Sequence, residues 1–286
     1  MSQNGSFTNI KSIHIDYTLF MSISLSILSL KLSMTMGTLY IFILCYYILS
    51  FNSMKKDYEG NNQLRRDMLV ELQEKLRKDN IIVNIEEDKG VLHLQEGSVF
   101  FKSSASVSNE AGENVIRKLA KAINETIHDK RYKEKIGTIF IEGHTDDERQ
   151  AGTTDENEFD AYNWGLSTRR AIYTWKIMSE SEPELPNFKN VDKDLVFSCS
   201  GYGPTRALDP KYKDVLAKIK ELDDIMNKNG GLTPEENKNL GELTEKLKVI
   251  RRNNRRIDIR FTMILPKDKD DKSNPTPQNT VKGNMK

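Results

Sequence analysis

The chain has 286 residues, 37% of them hydrophobic, which is enough to bury the core of one or two domains. Its 43 basic and 42 acidic side chains give a formal charge of +1. Because duplex nucleic acids are bound by neutralising many phosphates, this balance argues against a nucleic-acid partner. The two cysteines, Cys45 and Cys199, lie far apart in the sequence, so we expect no disulfide, and the redox compartment stays open.

The N-terminal fifth contains a long uncharged run. Residues 32–51 read LSMTMGTLYIFILCYYILSF, and about 20 such residues form a helix that crosses the hydrocarbon core of a membrane. A second apolar run, residues 19–30, precedes it, and Lys31 separates the two. A cleaved signal peptide is the alternative, but the apolar region is longer than a signal core and ends in aromatic rather than small residues. We therefore expect a transmembrane anchor within residues 19–53, after a cytoplasmic segment, residues 1–18.

The orientation of this anchor is less well determined. Four basic residues follow it between Lys55 and Arg66, whereas only Lys11 and Lys31 precede or interrupt it. The positive-inside rule therefore favours a cytoplasmic C-terminal region.

A helical stripe follows the anchor. Leu64, Met68, Leu72 and Leu76 recur at four-residue steps, which indicates an amphipathic helix in a juxtamembrane segment, residues 54–79. The stripe fits a dimer helix or a helix that packs on its own domain, and a single stripe does not separate the two.

Runs of strand-forming residues then alternate with helical patterns. This alternation predicts an α/β (α+β) fold in which helices cover one face of a mixed β-sheet. His93, within one strand, is expected on the polar or half-buried face of a hairpin. The predicted strands are residues 81–86, 91–95, 137–142, 195–200 and 256–265, and the predicted helices are residues 109–128 and 162–178.

Residues 209–250 read as a helical hairpin inserted before the last strand. Two apolar stripes are separated by Asn229-Gly230-Gly231, and Thr233-Pro234-Glu235-Glu236 opens the second helix with a capping box and a first-position proline. The tail, residues 267–286, is polar with no apolar period, and we expect it to be disordered.

Four short blocks carry a family resemblance. Together, and in this order, they resemble the motifs of the OmpA-like peptidoglycan-binding domain, which is also found in the flagellar stator protein MotB. The resemblance covers residues 80–266 and implies the OmpA-like fold. The blocks are IEGHTDD (141–147), NWGLSTRRA (163–171), SGYG (200–203) and NRRIDIRF (254–261), and VFFKSSASV (99–107) is similar to a further family loop.

The resemblance implies a ligand and its contacts. In the family, an aspartate and an arginine hold the free amino-acid end of diaminopimelate in the peptidoglycan stem peptide, and the matching residues here are Asp146 and Arg170. A carboxylate accepts hydrogen bonds from an ammonium group, and an arginine fork binds a carboxylate. Asn163, Arg255 and Ser103 occupy further motif positions and are expected to complete the pocket.

A metal site or an enzymatic activity fits the sequence less well. The acidic stretch from Asp147 to Tyr162 is longer than the family loop, yet it lacks the regular spacing of a calcium-binding loop. His144 has no second histidine or cysteine at zinc-ligand spacing, and we expect it to support the turn instead. No nucleophile is evident, so we expect a non-enzymatic protein without a cofactor or metal. The basic run RRNNRR (251–256) belongs to a family motif, which leaves no separate nucleic-acid signal.

The N-terminal organisation resembles that of MotB-type stator subunits, including the MotB-like ZorB subunit of Zorya anti-phage systems. The resemblance implies a homodimer, a multi-span MotA-like partner, and a single-pass protein of the inner membrane with its C-terminal domain in the periplasm. A periplasmic C-terminal domain conflicts with the positive-inside rule, which favours a cytoplasmic one. Asp16 is the candidate ion carrier, although it lies well before the clearest apolar window. A plain tether between membrane and wall is the alternative.

Overall fold

In the computed structural model, the described residues are 7–95, 109–148 and 156–264, without the side chains of residues 7–16, 18 and 156–159. Two predicted features therefore fall outside the described residues in full: the block 99–107 with Ser103, and the tail 267–286.

The first helix, α1, is continuous from Phe7 to Lys78. No proline occurs in this stretch, and Lys31 does not interrupt the helix. The apolar side chains between Leu19 and Phe51 are exposed. Among the described residues, α1 is the one helix that is long and apolar enough to cross a membrane, as judged by length and composition. A signal sequence near the N-terminus would meet the same criteria.

The C-terminal part of α1 belongs to a different unit. The chain divides so that helix residues up to Asp57 lie in one unit and Tyr58–Lys267 form another. Met68, Leu72 and Leu76 are fully buried and belong to the core of this second unit. The stripe thus packs on its own domain, which is the second of the two interpretations left open by the sequence.

Among the described residues there are five strands: β1 Asn84–Glu86, β2 Val91–Gln95, β3 Ile136–His144, β4 Phe197–Gly201 and β5 Arg256–Met263. They form one mixed sheet in the order β1-β2-β5-β3-β4. In this sheet β3 and β4 pair in parallel, and the other neighbours are antiparallel. This topology confirms the mixed sheet and the hairpin at its start.

Two helices, α2 (Glu110–Ile127) and α3 (Glu156–Ser181), join the end of α1 on one face of this sheet. Ile141 and Ile259 point from the sheet into the shared core. This layered packing confirms the predicted fold class. The side chain of Asn109 caps α2 by accepting a hydrogen bond from the Gly112 N–H at 2.9 Å. The helix α3 is longer than predicted and begins within the acidic stretch.

The inserted hairpin is confirmed, with α4 at Tyr212–Asn229 and α5 at Pro234–Asn254. Gly230 ends α4 with φ 71°, a left-handed conformation that favours glycine. Thr233 and Glu236 form the predicted capping box. The hairpin has a small apolar cluster of its own, formed by Tyr212, Val215, Leu247 and Ile250.

Candidate ligand pocket

The loop that follows β3 is held close to α3. A side chain at Gly143 would overlap the backbone carbonyl of Ser167, so only glycine allows this approach. The Ser167 hydroxyl accepts a hydrogen bond from the Gly203 N–H at 3.0 Å. The carbonyl of Gly203 in turn accepts from the Thr145 N–H at 3.1 Å. The GHTD, LSxxR and GYG blocks therefore meet at one end of the β3–β4 pair.

Asp146 lies at this junction and pairs with Arg255. The Nη1 atom of Arg255 donates to Oδ2 of Asp146, and the N–H of Glu148 donates to Oδ1 at 3.3 Å. Burial raises the pKa of the Asp146 carboxyl, and the hydrogen bond and charge of Arg255 offset this only in part. Among the described residues, two donors hold this carboxylate, and burial leaves it poorly solvated, so an additional cationic donor would stabilise its ionised form.

Arg170 is the largest fully buried side chain of the described residues and lies under the same loop. Its Nη1 atom lies 3.4 Å from the carbonyl oxygen of His144, two residues before Asp146. Asn163 precedes Arg170 by two helical turns and is also buried, so both residues lie on the inner face of α3. The fold therefore gathers Asp146, Arg170 and Arg255 around one loop, with Asn163 on the adjoining helix face.

The side chains of the two remaining predicted residues, Ser103 and Asp16, are outside the described residues. Ser103 lies outside the described residues. Asp16 falls within the backbone of α1, and its side chain is outside the described residues.

Sequence reasoning missed a second ion pair at the loop. Asp147 accepts two hydrogen bonds from Arg251, at 2.8 Å from Nε and 3.2 Å from Nη2. The hydroxyl of Tyr212 also acts on Asp147 and lowers its pKa. Burial alone would raise the pKa of Asp147, but these contacts outweigh it and the pKa is lowered. Nothing in the local sequence signals this pairing, because Arg251 is distant along the chain.

His144 contributes to a different cluster, centred on Asp258. The Nδ1 atom of His93 lies 2.7 Å from Oδ1 of Asp258, and Nε2 of His144 lies 3.1 Å from Oδ2. Arg256 donates from Nε to both oxygens at 3.0 and 3.1 Å. Burial would raise the pKa of Asp258, but the two histidines and the guanidinium hold it well below its usual range. Burial lowers the pKa of His144 despite its proximity to Asp258, which favours the neutral ring.

This cluster contains more potential ligands than the sequence suggested. Ligand atoms of Glu142, His144 and Asp258 lie within 4.8 Å of one another, and all three side chains are buried. They meet because Glu142 and Asp258 are direct cross-strand partners, a register that spacing along the chain cannot show. Each carboxylate, however, already contacts a guanidinium, from Arg260 and Arg256 respectively. Two neighbouring positive charges oppose a dication, so we interpret the cluster as an ion-pair network.

A cavity of about 680 Å³ adjoins this network. His93, Glu142 and Asp258 are among its lining residues, whereas Asp146, Asn163, Arg170 and Arg255 are not. The carboxylates of Glu142 and Asp258 in its lining pair with Arg260 and Arg256, so the cavity belongs to the ion-pair network.

Comparisons with known proteins give structural neighbours only. No protein-family model and no curated protein matches the chain. The periplasmic domain of Helicobacter pylori MotB is 18% identical over 60% of this chain and 73% of that chain, with a TM-score of 0.34. A putative MotB-like protein from Desulfovibrio vulgaris is 16% identical over 72% and 98%, with a TM-score of 0.44. The OmpA-like domain of FopA1 from Francisella tularensis is 15% identical over 64% and 82%, with a TM-score of 0.32. These identities and TM-scores are too low to carry an argument about function.

Proposed function

We propose that the protein is a membrane-anchored, non-catalytic peptidoglycan-binding protein. The observation that carries the proposal is the convergence of the motif residues. Asp146 contacts Arg255 directly, and Arg170 lies beneath the same loop, although the three residues are far apart in the sequence.

The pocket has the charges that an amino-acid ligand needs. The free end of diaminopimelate carries an ammonium and a carboxylate group. In this proposal, Asp146 accepts hydrogen bonds from the ammonium and Arg170 binds the carboxylate through its fork. Asn163, Arg255 and Ser103 complete the contacts. Because Asp146 and Arg170 are both buried, ligand binding requires local opening around the loop, and we expect association to be slower than diffusion allows.

Retention on purified sacculi tests this assignment. The full chain, solubilised in detergent, is sedimented with sacculi as wild type, Asp146→Ala and Arg170→Ala. We expect both variants to lose most retention, and free diaminopimelate to compete with the wild type. The matched control is Arg252→Ala, which changes an exposed arginine close to Arg255.

Circular dichroism of each variant separates loss of binding from loss of folding. Equal retention of the wild type and both folded pocket variants would refute the binding assignment.

We further propose a biological role within this function. The chain is a homodimeric, wall-anchoring stator subunit of a MotAB-like ion-driven complex with a multi-span partner, in a Zorya-type anti-phage system. Its domains are the anchor at residues 19–53, the segment 54–79 and the binding domain at residues 80–266. Asp16 is the only acidic residue between Phe7 and Lys56, and a carboxylate near a membrane span is functional by default. Its distance from the clearest apolar window favours the alternative, a tether without ion conduction.

Purification in mild detergent distinguishes the stator from the tether. A stator subunit copurifies as a dimer with a multi-span membrane protein, and Asp16→Asn then abolishes activity of the complex without dissociating it. Recovery of the chain alone supports the tether. Protease treatment of spheroplasts tests the orientation, since a periplasmic domain is cleaved whereas a cytoplasmic one is protected.

A further inference from the structure

The inserted hairpin is attached to the pocket loop through two consecutive aspartates. Asp146 pairs with Arg255 and Asp147 pairs with Arg251. The two arginines are one helical turn apart, and the Arg255 N–H donates to the Arg251 carbonyl at 3.1 Å where α5 ends. The end of α5 therefore sets the position of both partners of the loop.

The two helices of the hairpin are held together at its base. Tyr212, the first residue of α4, packs with Leu247 and Ile250 of α5 in the apolar cluster of the hairpin. Asn254, the last residue of α5, accepts a hydrogen bond from the Leu208 N–H at 2.9 Å. The base of the hairpin is thus one packed unit, which Arg251 and Arg255 attach to the pocket loop.

The contact between Arg251 and Asp147 restrains the position of the pocket loop. Arg251 presents two nitrogens to the two carboxylate oxygens, which restrains orientation as well as distance. The Asp147 and Arg251 side chains retain only 23% and 25% of their exposure, so solvent screens the pair less than an open surface pair. Asp147 has no ligand role in the proposed function, and its neighbour Asp146 has one.

We infer that Asp147 and Arg251 are positioning residues, through which the inserted hairpin sets the placement of Asp146 and Arg255 for the stem peptide. The inference rests on the proposed function. Movement of the hairpin base changes the affinity of the pocket, although neither of these two side chains touches the ligand.

Sacculus-binding titrations of the full chain in detergent test this inference. We expect Arg251→Gln to weaken apparent affinity by roughly tenfold, since the loop loses a bidentate restraint. Arg251→Lys keeps the charge without the fork and restores part of the affinity. The matched control is Arg252→Gln, which binds as the wild type.

A double-mutant cycle identifies the pair as one unit. Asp147→Asn with Arg251→Gln loses little more affinity than either single variant. Melting temperatures are measured in parallel and binding is assayed where every variant is folded, so that a merely stabilising ion pair leaves affinity unchanged.

The possible failures are distinguishable. Wild-type affinity of folded Arg251→Gln and Asp147→Asn, together with weak binding of Asp146→Ala, would overturn the positioning role alone. Wild-type affinity of Asp146→Ala and Arg170→Ala would overturn the proposed function and, with it, this inference.

Discussion

Two groups of charged residues lie side by side in this domain and differ in how they are held. Asp258 is at the centre of a network whose members, His93, His144 and Arg256, come from neighbouring strands. Asp146 lies in a loop after β3 and pairs with Arg255, which caps the end of α5. The GHTD block contributes to both groups, since His144 belongs to the first and Asp146 to the second.

This difference distinguishes a carboxylate that stabilises the fold from one that can accept a hydrogen bond from a ligand. Asp258 has several donors placed by backbone pairing, and these contacts hold its pKa well below the usual range. In the part of the chain that the structure describes, Asp146 has two donors, Arg255 and the N–H of Glu148, and burial raises its pKa. A carboxylate with unsatisfied acceptor capacity can gain a ligand donor, whereas a saturated one cannot. We therefore expect loss of Asp258 to affect folding, and loss of Asp146 to affect binding.

The largest expected effect is on stability at the strand network. Asp258→Asn leaves the buried guanidinium of Arg256 without a charged partner, which costs about 3–5 kcal/mol in the free energy of unfolding. Asp146→Asn costs about 1 kcal/mol or less, because neutralising a poorly solvated carboxylate relieves its desolvation. Chemical denaturation of both variants measures the two values. Equal destabilisation would contradict the proposed division of roles.

The second prediction concerns the stability of the domain at acidic pH. His144 has a lowered pKa in the folded state, so the unfolded chain binds the extra proton first. The stability linked to the neutral His144 ring is fully present above pH 6.5, the pKa of this side chain in the unfolded state. It is lost as the pH falls below that value. Asp258 acts in the same direction at lower pH, whereas Asp146, with a raised pKa, opposes it. We expect the melting temperature to fall from pH 7 to pH 5, and less steeply in His144→Gln. A flat profile for the wild type would contradict the assignment.

The third prediction concerns a site far from both groups, at the tip of the hairpin, and expects no effect on binding. Thr233→Ala removes the helix cap of α5 and costs about 1 kcal/mol of stability. Because the pocket contacts lie at the opposite end of α5, sacculus binding remains unchanged below the melting temperature. Thr233→Ser keeps the hydroxyl and serves as the control. Reduced binding of folded Thr233→Ala would show that the whole hairpin, rather than its base, communicates with the pocket.

Much of the fold follows from local patterns. The strand and helix periods predicted all five strands and both core helices, with differences mainly at their ends. The helix break near Gly230 and the capping box at Thr233 were predicted from single residues, because turn and cap chemistry is local. The start of α3 was missed, since residues 156–161 read ENEFDA, and Phe159 and Ala161 alone do not set an apolar helical period.

The candidate pocket was predictable only where motifs carried it. Asp146, Arg170, Asn163 and Arg255 were found through the order of the blocks, and their ligand role stays a prediction. The contact between Asp147 and Arg251 was not found, because it joins a loop to an inserted helix. The sequence predicts His93 on the polar or half-buried face of a hairpin, but the residue is buried against Asp258 through the register of β2 and β5.

The sequence by itself determined where the helices and strands form, where the hairpin breaks and which apolar run could cross a membrane. These depend on residue periodicity, caps and length, all of which are local properties. Only the tertiary structure decided which charge faces which. Strand register placed His93 and Glu142 beside Asp258, and the end of α5 placed Arg251 and Arg255 beside the two aspartates. Ion pairs form over a few ångströms in space, and separation along the chain carries no information about that distance.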